Sequence, residues 1–453
     1  MTTKLDNADI QGIVLSGYAH LNEATYLFLK VDSGEKGRQW LKQISADISS
    51  AAPWLRGIDN RAIKPSTQVN IAFTHAGLEA LGLPKDSLDS FLEEFCEGPL
   101  GEERSKLMGD VDESAPENWE LGGPNTQPIH IMLMLFAATD ESLEALQEHY
   151  EVTLREIGGI TIVHDQAASR LDDSKEHFGF RDGVSQPAIE GALNPPTPGQ
   201  DVIKAGEFVL GYRNEYDLIP PMPKPDVLGK NGTYLVYRKL AQNVGTFRQF
   251  LNEAANGDPQ LVELIGAKLM GRWKSGAPLA LTPDGDDPQL GQDNQRNNNF
   301  RFAETDPYGY RTPIGSHVRR SNPRDGIEHD PTASVQTAGR HRILRRGRPY
   351  GPPFNEQTAN EARGTLFVAI NADIKRQFEF VQQRWVNDAK FAGLYSDPDP
   401  MAGDHSNGNS TMTIQHWPIR KEIRGVPRFV TVKASVYFFV PSLTALAFIA
   451  NGG

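Results

Sequence analysis

Apolar residues recur along this chain with two periods. Short apolar runs predict strands, and returns every three or four residues predict helices. Residues 24–31 (Ala-Thr-Tyr-Leu-Phe-Leu-Lys-Val) are apolar and rich in β-formers, and predict a strand. Ser33 then offers an N-cap, and Trp40, Leu41, Ile44 and Ile48 follow at helical spacing. Residues 69–73 predict a second strand, and a short helix over 76–81 is stopped by Gly82 and Pro84. The stretch 97–128 is rich in Gly, Pro, Glu and Asn and predicts a long loop. Residues 129–136 predict a third strand. Asp140 is placed to cap a helix carrying Leu143, Leu146 and Tyr150, and 159–163 predict a fourth strand. With the short helix set aside, the order is strand, helix, strand, strand, helix, strand, which is the ferredoxin-like split βαβ arrangement.

After Pro195-Pro-Thr-Pro198 the pattern begins again. Residues 234–237 predict a strand. Val244, Phe247 and Leu251 mark one helix, and Leu261, Leu264, Ile265 and Leu269 mark another. The polar run 284–299 predicts loop, 365–370 a strand, and 428–440 a long final strand. Ile374, Phe378, Val381 and Trp385 share one helical face. The expected fold class is α+β: two ferredoxin-like halves, residues 1–200 and 201–453, each an antiparallel sheet with helices on one face.

Composition narrows the function. A net charge of −12 over 453 residues excludes a general nucleic-acid binder, whose surface must be basic. The one cysteine, Cys96, can form neither an internal disulfide nor a thiolate cluster, and is read as a buried thiol. No Cys-x-x-Cys-His occurs, so covalent c-type haem attachment is excluded. The first residues lack the apolar core and cleavage site of a signal peptide, and no apolar run approaches about eighteen residues. A cytoplasmic protein with no membrane span is expected.

Two stretches carry candidate chemistry. Gly179-Phe-Arg-Asp-Gly183 holds Asp182 between glycines that permit tight turns, although an Asp-Gly pair alone is an ordinary turn. Gly315-Ser-His-Val-Arg-Arg-Ser-Asn-Pro-Arg324 and Arg342-Ile-Leu-Arg-Arg-Gly347 set His317 in an arginine-rich region of an acidic chain. Imidazole can ligate iron, and such a ligand needs a partner for its other ring nitrogen. Glu379 and Asp388, on the helix after the 365–370 strand, are the candidates for it. Arginines in this number suit carboxylate groups of a ligand, or a surface of salt bridges.

These segments, with Val184-Ser-Gln-Pro187, Gly206-Glu-Phe-Val-Leu-Gly-Tyr212, Gly271-Arg-Trp-Lys-Ser-Gly-Ala-Pro278 and Phe378-Glu-Phe-Val-Gln382, resemble the dye-decolorising peroxidases in the same chain order, from about residue 10 to the end. The loops resemble the long bacterial and fungal-like branch. The resemblance implies a dimeric α/β-barrel-like fold of two ferredoxin-like halves. It also implies one non-covalent haem b per chain between sheet and helices of the C-terminal half. His317 would be the proximal ligand to the iron, Asp182 and Arg345 would be distal catalytic groups, and Arg345, Arg319 and Glu379 would border the cofactor. Glu379 is the expected partner of His317, with Asp388 second.

The implied activity is reduction of hydrogen peroxide, with one-electron oxidation of phenols or dyes through a ferryl porphyrin-radical intermediate. Asp182 would move the peroxide proton, and an unperturbed aspartate, titrating around 4, would give an acidic optimum. Tyr350, Trp385 and Trp417 are possible electron relays for bulky dyes, with ordinary packing as the plainer reading. The competing functions are haem binding or trafficking without turnover, a haem-free interaction protein, and a chlorite-dismutating relative. Asp182 together with Arg345 favours catalysis, because neither is needed merely to hold iron.

Overall fold

The structure is a computed structural model and describes residues 4–57, 59–171, 174–406 and 408–453. Its main sheet has nine strands: Glu23–Val31 (β1), Thr67–Phe73 (β2), Ile131–Ala137 (β3), Ile160–Ser169 (β4), Thr233–Gln242 (β5), Leu344–Arg345 (β6), Arg348–Tyr350 (β7), Gly364–Asn371 (β8) and Val430–Val440 (β9). They lie in the order β4-β1-β3-β2-β9-β5-β8-β6, with β7 also on β8. All these pairings are antiparallel.

The order 4-1-3-2 of the first four strands is the ferredoxin-like arrangement. The order 9-5-8-6 repeats it in the second half, with β6 and β7 sharing the place of one longer strand. The halves join edge to edge where Phe73 of β2 pairs with Phe439 of β9. The sheet then curls until β4 comes against β7. Residue 200 lies between β4 and β5.

Both faces of the sheet are covered, which explains why these strands read as apolar runs rather than alternations. Leu27, Leu29, Leu133 and Tyr437 face helices, with Trp40, Tyr150 and Ile449 opposite. Tyr26, Phe28, Met134, Tyr237 and Phe438 fill the inner side. There the rings of Tyr26 and Phe28 meet Tyr237 across the two halves, at 6.2 and 5.0 Å between centroids.

The helices mostly start where their caps predict. Helix Gly34–Ile44 follows Ser33, whose side chain makes no capping bond. Helix Asp140–Ile157 is capped one residue earlier than expected, by Thr139, whose hydroxyl accepts from the Ser142 amide. Asn243 caps Val244–Ala254, and Asp258 caps Pro259–Met270. The loop expected over 97–128 contains helix Glu102–Met108 and two 3-10 turns. A C-terminal helix, Leu443–Asn451, was not legible from periodicity because it is apolar nearly all round; it packs on Gly34–Ile44.

Two departures shape the site. Strand β5 runs five residues past the expected 237, to Gln242, adding Arg238, Leu240 and Gln242 on one face. The helix expected from Ile374 to Trp385 is π-helical over Lys375–Glu379 and Val381–Val386, with the Glu379 amide bonded to the Ile374 carbonyl. Such turns recur at functional sites. Among the described residues no helix is long and apolar enough to cross a membrane.

Candidate active site

Strands β5, β8 and β9 form the floor of a cavity in the C-terminal half. Leu240, Phe367, Val430 and Val432 point up from it, and Phe378, Val381 and Val386 of the π-helical segment close the opposite wall. The slot between them is walled mainly by apolar side chains. His317 borders it from the first residue of the short helix His317–Ser321, and Asp182, Arg345 and Glu176 border it from two other segments. A second depression, lined by Tyr395, Arg420, Glu422 and Arg424, lies out at the hairpin Thr411–Ile414/Lys421–Arg424 and holds none of these groups.

The His317 Nδ1 lies 2.8 Å from Oδ2 of Asp399, whose side chain is fully buried. The other oxygen of Asp399 accepts from the amides of Met401 (2.8 Å) and Ala402 (3.0 Å). Burial pushes the Asp399 carboxyl up, but His317, Arg320 and the Ala402 amide outweigh it and hold it below the ordinary aspartate range. An ionised carboxylate only accepts, so the imidazole carries a proton on Nδ1, and in its neutral form Nε2 is left as the acceptor.

Neither expected partner of His317 is in place. Glu379 accepts from the Tyr437 hydroxyl at 3.0 Å and lies 3.1 Å from Arg104 Nε. The π-helical turns carry it toward β9 and helix Glu102–Met108, where it ties elements together. Asp388 caps its own turn, accepting from the Lys390 amide. The actual partner comes from Asp397-Pro-Asp-Pro400, a segment with no periodicity. Its one signal is a carboxylate held between two prolines.

Asp182 Oδ1 accepts from Arg345 Nη1 at 2.8 Å and from the Gly183 amide at 2.6 Å. Gly179 and Gly183 have φ of 96° and 76°, so this loop needs glycine at both ends. Burial pushes the Asp182 carboxyl up, but the Arg345 guanidinium and the Gly183 amide bring it below the ordinary aspartate range. Both Asp182 and Arg345 act through space on His317. Arg345 is itself positioned by Gln186, which sequence reasoning passed over: its amide donates to the Arg345 carbonyl and accepts from the Arg345 N–H, both at 3.1 Å.

The arginine-rich stretch divides by role. Arg319 is a correction: it is buried away from the cavity, bonded to Asp306 and the Thr312 carbonyl and lying over Phe302. Arg320 donates to the carbonyls of Gly315, Trp385, Asp388 and Asp397, lacing together the segments around His317. Arg272 and Arg342, in contrast, line the cavity. Burial, then the like charges of Arg345 and Arg181, lower Arg272 to about 9. Arg342 is paired with Asp201 at 3.1 Å, whereas Arg272 donates only to neutral partners, the Gly276 and Asn297 carbonyls and Asn298, so its charge suits an anion.

An apolar slot, one imidazole with a free Nε2 and cations in the wall fit a planar iron macrocycle bearing carboxylates. Among the described residues no cluster of three or more His, Cys, Asp or Glu is arranged to hold a bare metal ion. Cys96 is outside the slot, packed against the helix-side core. Of the possible relays, Tyr350 and Trp385 are buried packing residues, whereas Trp417 is 77% exposed.

Residues 9–167 match the family model described as the DyP dimeric alpha+beta barrel domain. Across 98% of its length the chain is 32% identical to dye-decolorizing peroxidase msp1 of Mycetinis scorodonius, covering 87% of that protein. Its structure resembles that of an ancestral D-type dye decolorizing peroxidase, with a TM-score of 0.82 and 31% identity over 98% of this chain and 99% of that one. It also resembles a dye-decolorizing peroxidase in complex with 2,6-dimethoxyphenol, with a TM-score of 0.83 and 29% identity over 98% and 100%. A chain this similar from end to end, folded the same way, belongs to the dye-decolorizing peroxidase family.

Proposed function

We propose that this chain is a haem b peroxidase that reduces hydrogen peroxide and oxidises phenols and dyes in one-electron steps. The observation that carries the reading is the juxtaposition of His317, its Nε2 freed by Asp399, with the Asp182–Arg345 pair around one apolar slot. When bound, the haem supplies the iron at which peroxide is reduced and through which electrons from the organic substrate arrive. The haem would be held without a thioether link, because the one cysteine lies outside the slot.

His317 would offer Nε2 to the iron, and Asp399 would keep the Nδ1 proton in place, making the imidazole a more basic donor. Arg272 and Arg342 would receive the carboxylates of the macrocycle, Arg342 alongside its partner Asp201. Asp182, ionised beside Arg345, takes the proton from one peroxide oxygen and returns it to the other, acting as base and then acid. Arg345 meets the negative charge that develops on the departing oxygen with a donor already in position. The apolar walls exclude bulk water while this happens. Phenols the size of 2,6-dimethoxyphenol, which a relative of similar structure binds, are the first reductants to try.

The test is the absorption spectrum of haem-reconstituted protein before and after one equivalent of hydrogen peroxide. A strong Soret band that shifts with peroxide is expected. A Soret band unmoved by peroxide would leave a haem carrier, and no Soret band would remove the cofactor assignment.

A further inference from the structure

The segment that carries Asp182 also holds a second carboxyl group, Glu176, which the mechanism above does not use. It borders the same cavity. Its Oε2 accepts from the Phe178 amide and its Oε1 from the Phe180 amide, both at 2.9 Å. Its own backbone closes the same turn, with Glu176 N–H donating to the Phe180 carbonyl and Gly179 N–H to the Glu176 carbonyl. Gln242 of β5 donates its side-chain amide to Oε2 at 2.5 Å, and the Thr365 hydroxyl of β8 donates to the Gln242 carbonyl oxygen at 3.1 Å. The loop that presents Asp182 is therefore tied to two strands of the sheet through one carboxyl group.

This hydrogen-bond chain can run either way. With Glu176 ionised, Gln242 donates to it and accepts from Thr365. With Glu176 protonated, a half-turn of the Gln242 amide lets its carbonyl accept the new O–H while its NH2 donates to the threonine oxygen. The carboxyl can thus gain or lose a proton with the loop still fastened. Burial pushes Glu176 up to about 7, against the pull of the Phe178, Phe180 and Gln242 donors, and the charge of Asp182 pushes it further the same way. The other ionisable side chains around it have partners elsewhere. His177 meets the Tyr350 carbonyl, Arg181 the Gly291 carbonyl, Arg238 Asp110, Arg363 the Thr358 carbonyl and Arg428 Asp404.

We propose that Glu176 is a positioning residue for the peroxide step, a second proton-binding carboxyl in the cavity wall whose charge state adjusts the proton affinity of Asp182. This rests on the reading of Asp182 as the group that moves the peroxide proton. The coupling is reciprocal, so removing either charge eases ionisation of the other. One pKa unit of coupling is about tenfold in proton affinity.

The test uses the haem-loaded protein and two readouts. Infrared difference spectra against pH should show the carbonyl band of a protonated carboxyl that fades as pH rises through neutrality. The band should be absent in E176Q and should fade at lower pH in D182N. Stopped-flow rates of the Soret change with peroxide should show an inflection near neutral pH in the wild type that E176Q removes. A band that persists in E176Q, or a midpoint unmoved in D182N, overturns the proposal; the D182N arm holds even if E176Q folds poorly. If instead D182N reacts with peroxide at the wild-type rate while the infrared coupling stands, the role given to Asp182 is what has failed.

Discussion

At the scale of the residue, the pairing of His317 with Asp399 does the most to define this site. Replacing Asp399 by Asn keeps an acceptor near Nδ1 but removes the charge that favours a proton there. The expected outcome is roughly 10- to 100-fold weaker haem binding, by analogy with the loss of such outer partners at metal sites, and a raised iron reduction potential. Haem titration and potentiometry check both. For Asp182→Asn, haem binding should stay as in the wild type while the bimolecular reaction with peroxide slows by about 10²- to 10⁴-fold, the usual contribution of a positioned acid–base group.

The pH dependence follows from what holds Asp182 ionised. Because Arg345 and the Gly183 amide bring its carboxyl below the ordinary range, the ionised form should persist as pH falls through about 4. The acid limb of the peroxide reaction should lie below that of a free aspartate. Arg345→Leu leaves burial unopposed by the guanidinium, so the same limb should move to higher pH. A limb that stays put in stopped-flow profiles would show that another group titrates.

Asp182, His317 and Arg345 were singled out through the resemblance of their motifs, and the fold brings all three to one cavity. The partner of His317 was not legible. Glu379 stood out because helical spacing makes a helix readable, yet it is saturated by Arg104 and Tyr437. Asp399 comes from a turn, and only the folded chain brings it across 82 residues to the imidazole. Glu176 and Gln186 were equally silent, since their task is to bind backbone groups and that task leaves no periodic trace.

At the scale of the element, seven of the nine strands were read, but β6, β7 and several strand ends were not. The extension of β5 to Gln242, Arg-Lys-Leu-Ala-Gln, is no apolar run, because Arg238 and Gln242 border the cavity, and a search for apolar runs stops short of it. The π-helical segment has apolar positions that also satisfy an α-helix, so spacing alone could not tell the two apart. Its attachment to helix Glu102–Met108 through Glu379 and Arg104 is testable. Glu379→Ala should cost about 1.5–3 kcal/mol, the range for a hydrogen bond to a charged group. It should leave the iron reduction potential unchanged, the opposite signature to Asp399→Asn. Denaturant unfolding and potentiometry on both variants decide between the two carboxylates.

At the scale of the whole molecule, the repeated order 4-1-3-2 and 9-5-8-6 was visible as a recurring order of elements, although no sequence repeat accompanies it. What the order could not convey is that the halves share one sheet and one inner core. The floor of the cavity belongs to one half, on β5, β8 and β9, while residues before 200 lend it Asp182 and Glu176. Haem should therefore stabilise the chain by linkage, about 2.7 kcal/mol at a free concentration of 100 Kd. Thermal scans with and without haem should show a higher Tm when loaded. Hydrogen exchange should slow most in Thr233–Gln242, Gly364–Asn371 and the 375–386 segment. Uniform protection across both halves would count against this placement.

The clamp of Gln186 on Arg345 has a further effect. Strand β6 ends the sheet, and a terminal strand with open amides and carbonyls is a template on which foreign chains can add. Here a side-chain amide takes up the Arg345 N–H and carbonyl, standing where the next strand would lie. At the opposite end β4 folds back against β7. The residue that steadies Arg345 thus also blunts the sheet against self-association, so Gln186→Ala should both slow turnover and raise light scattering on storage.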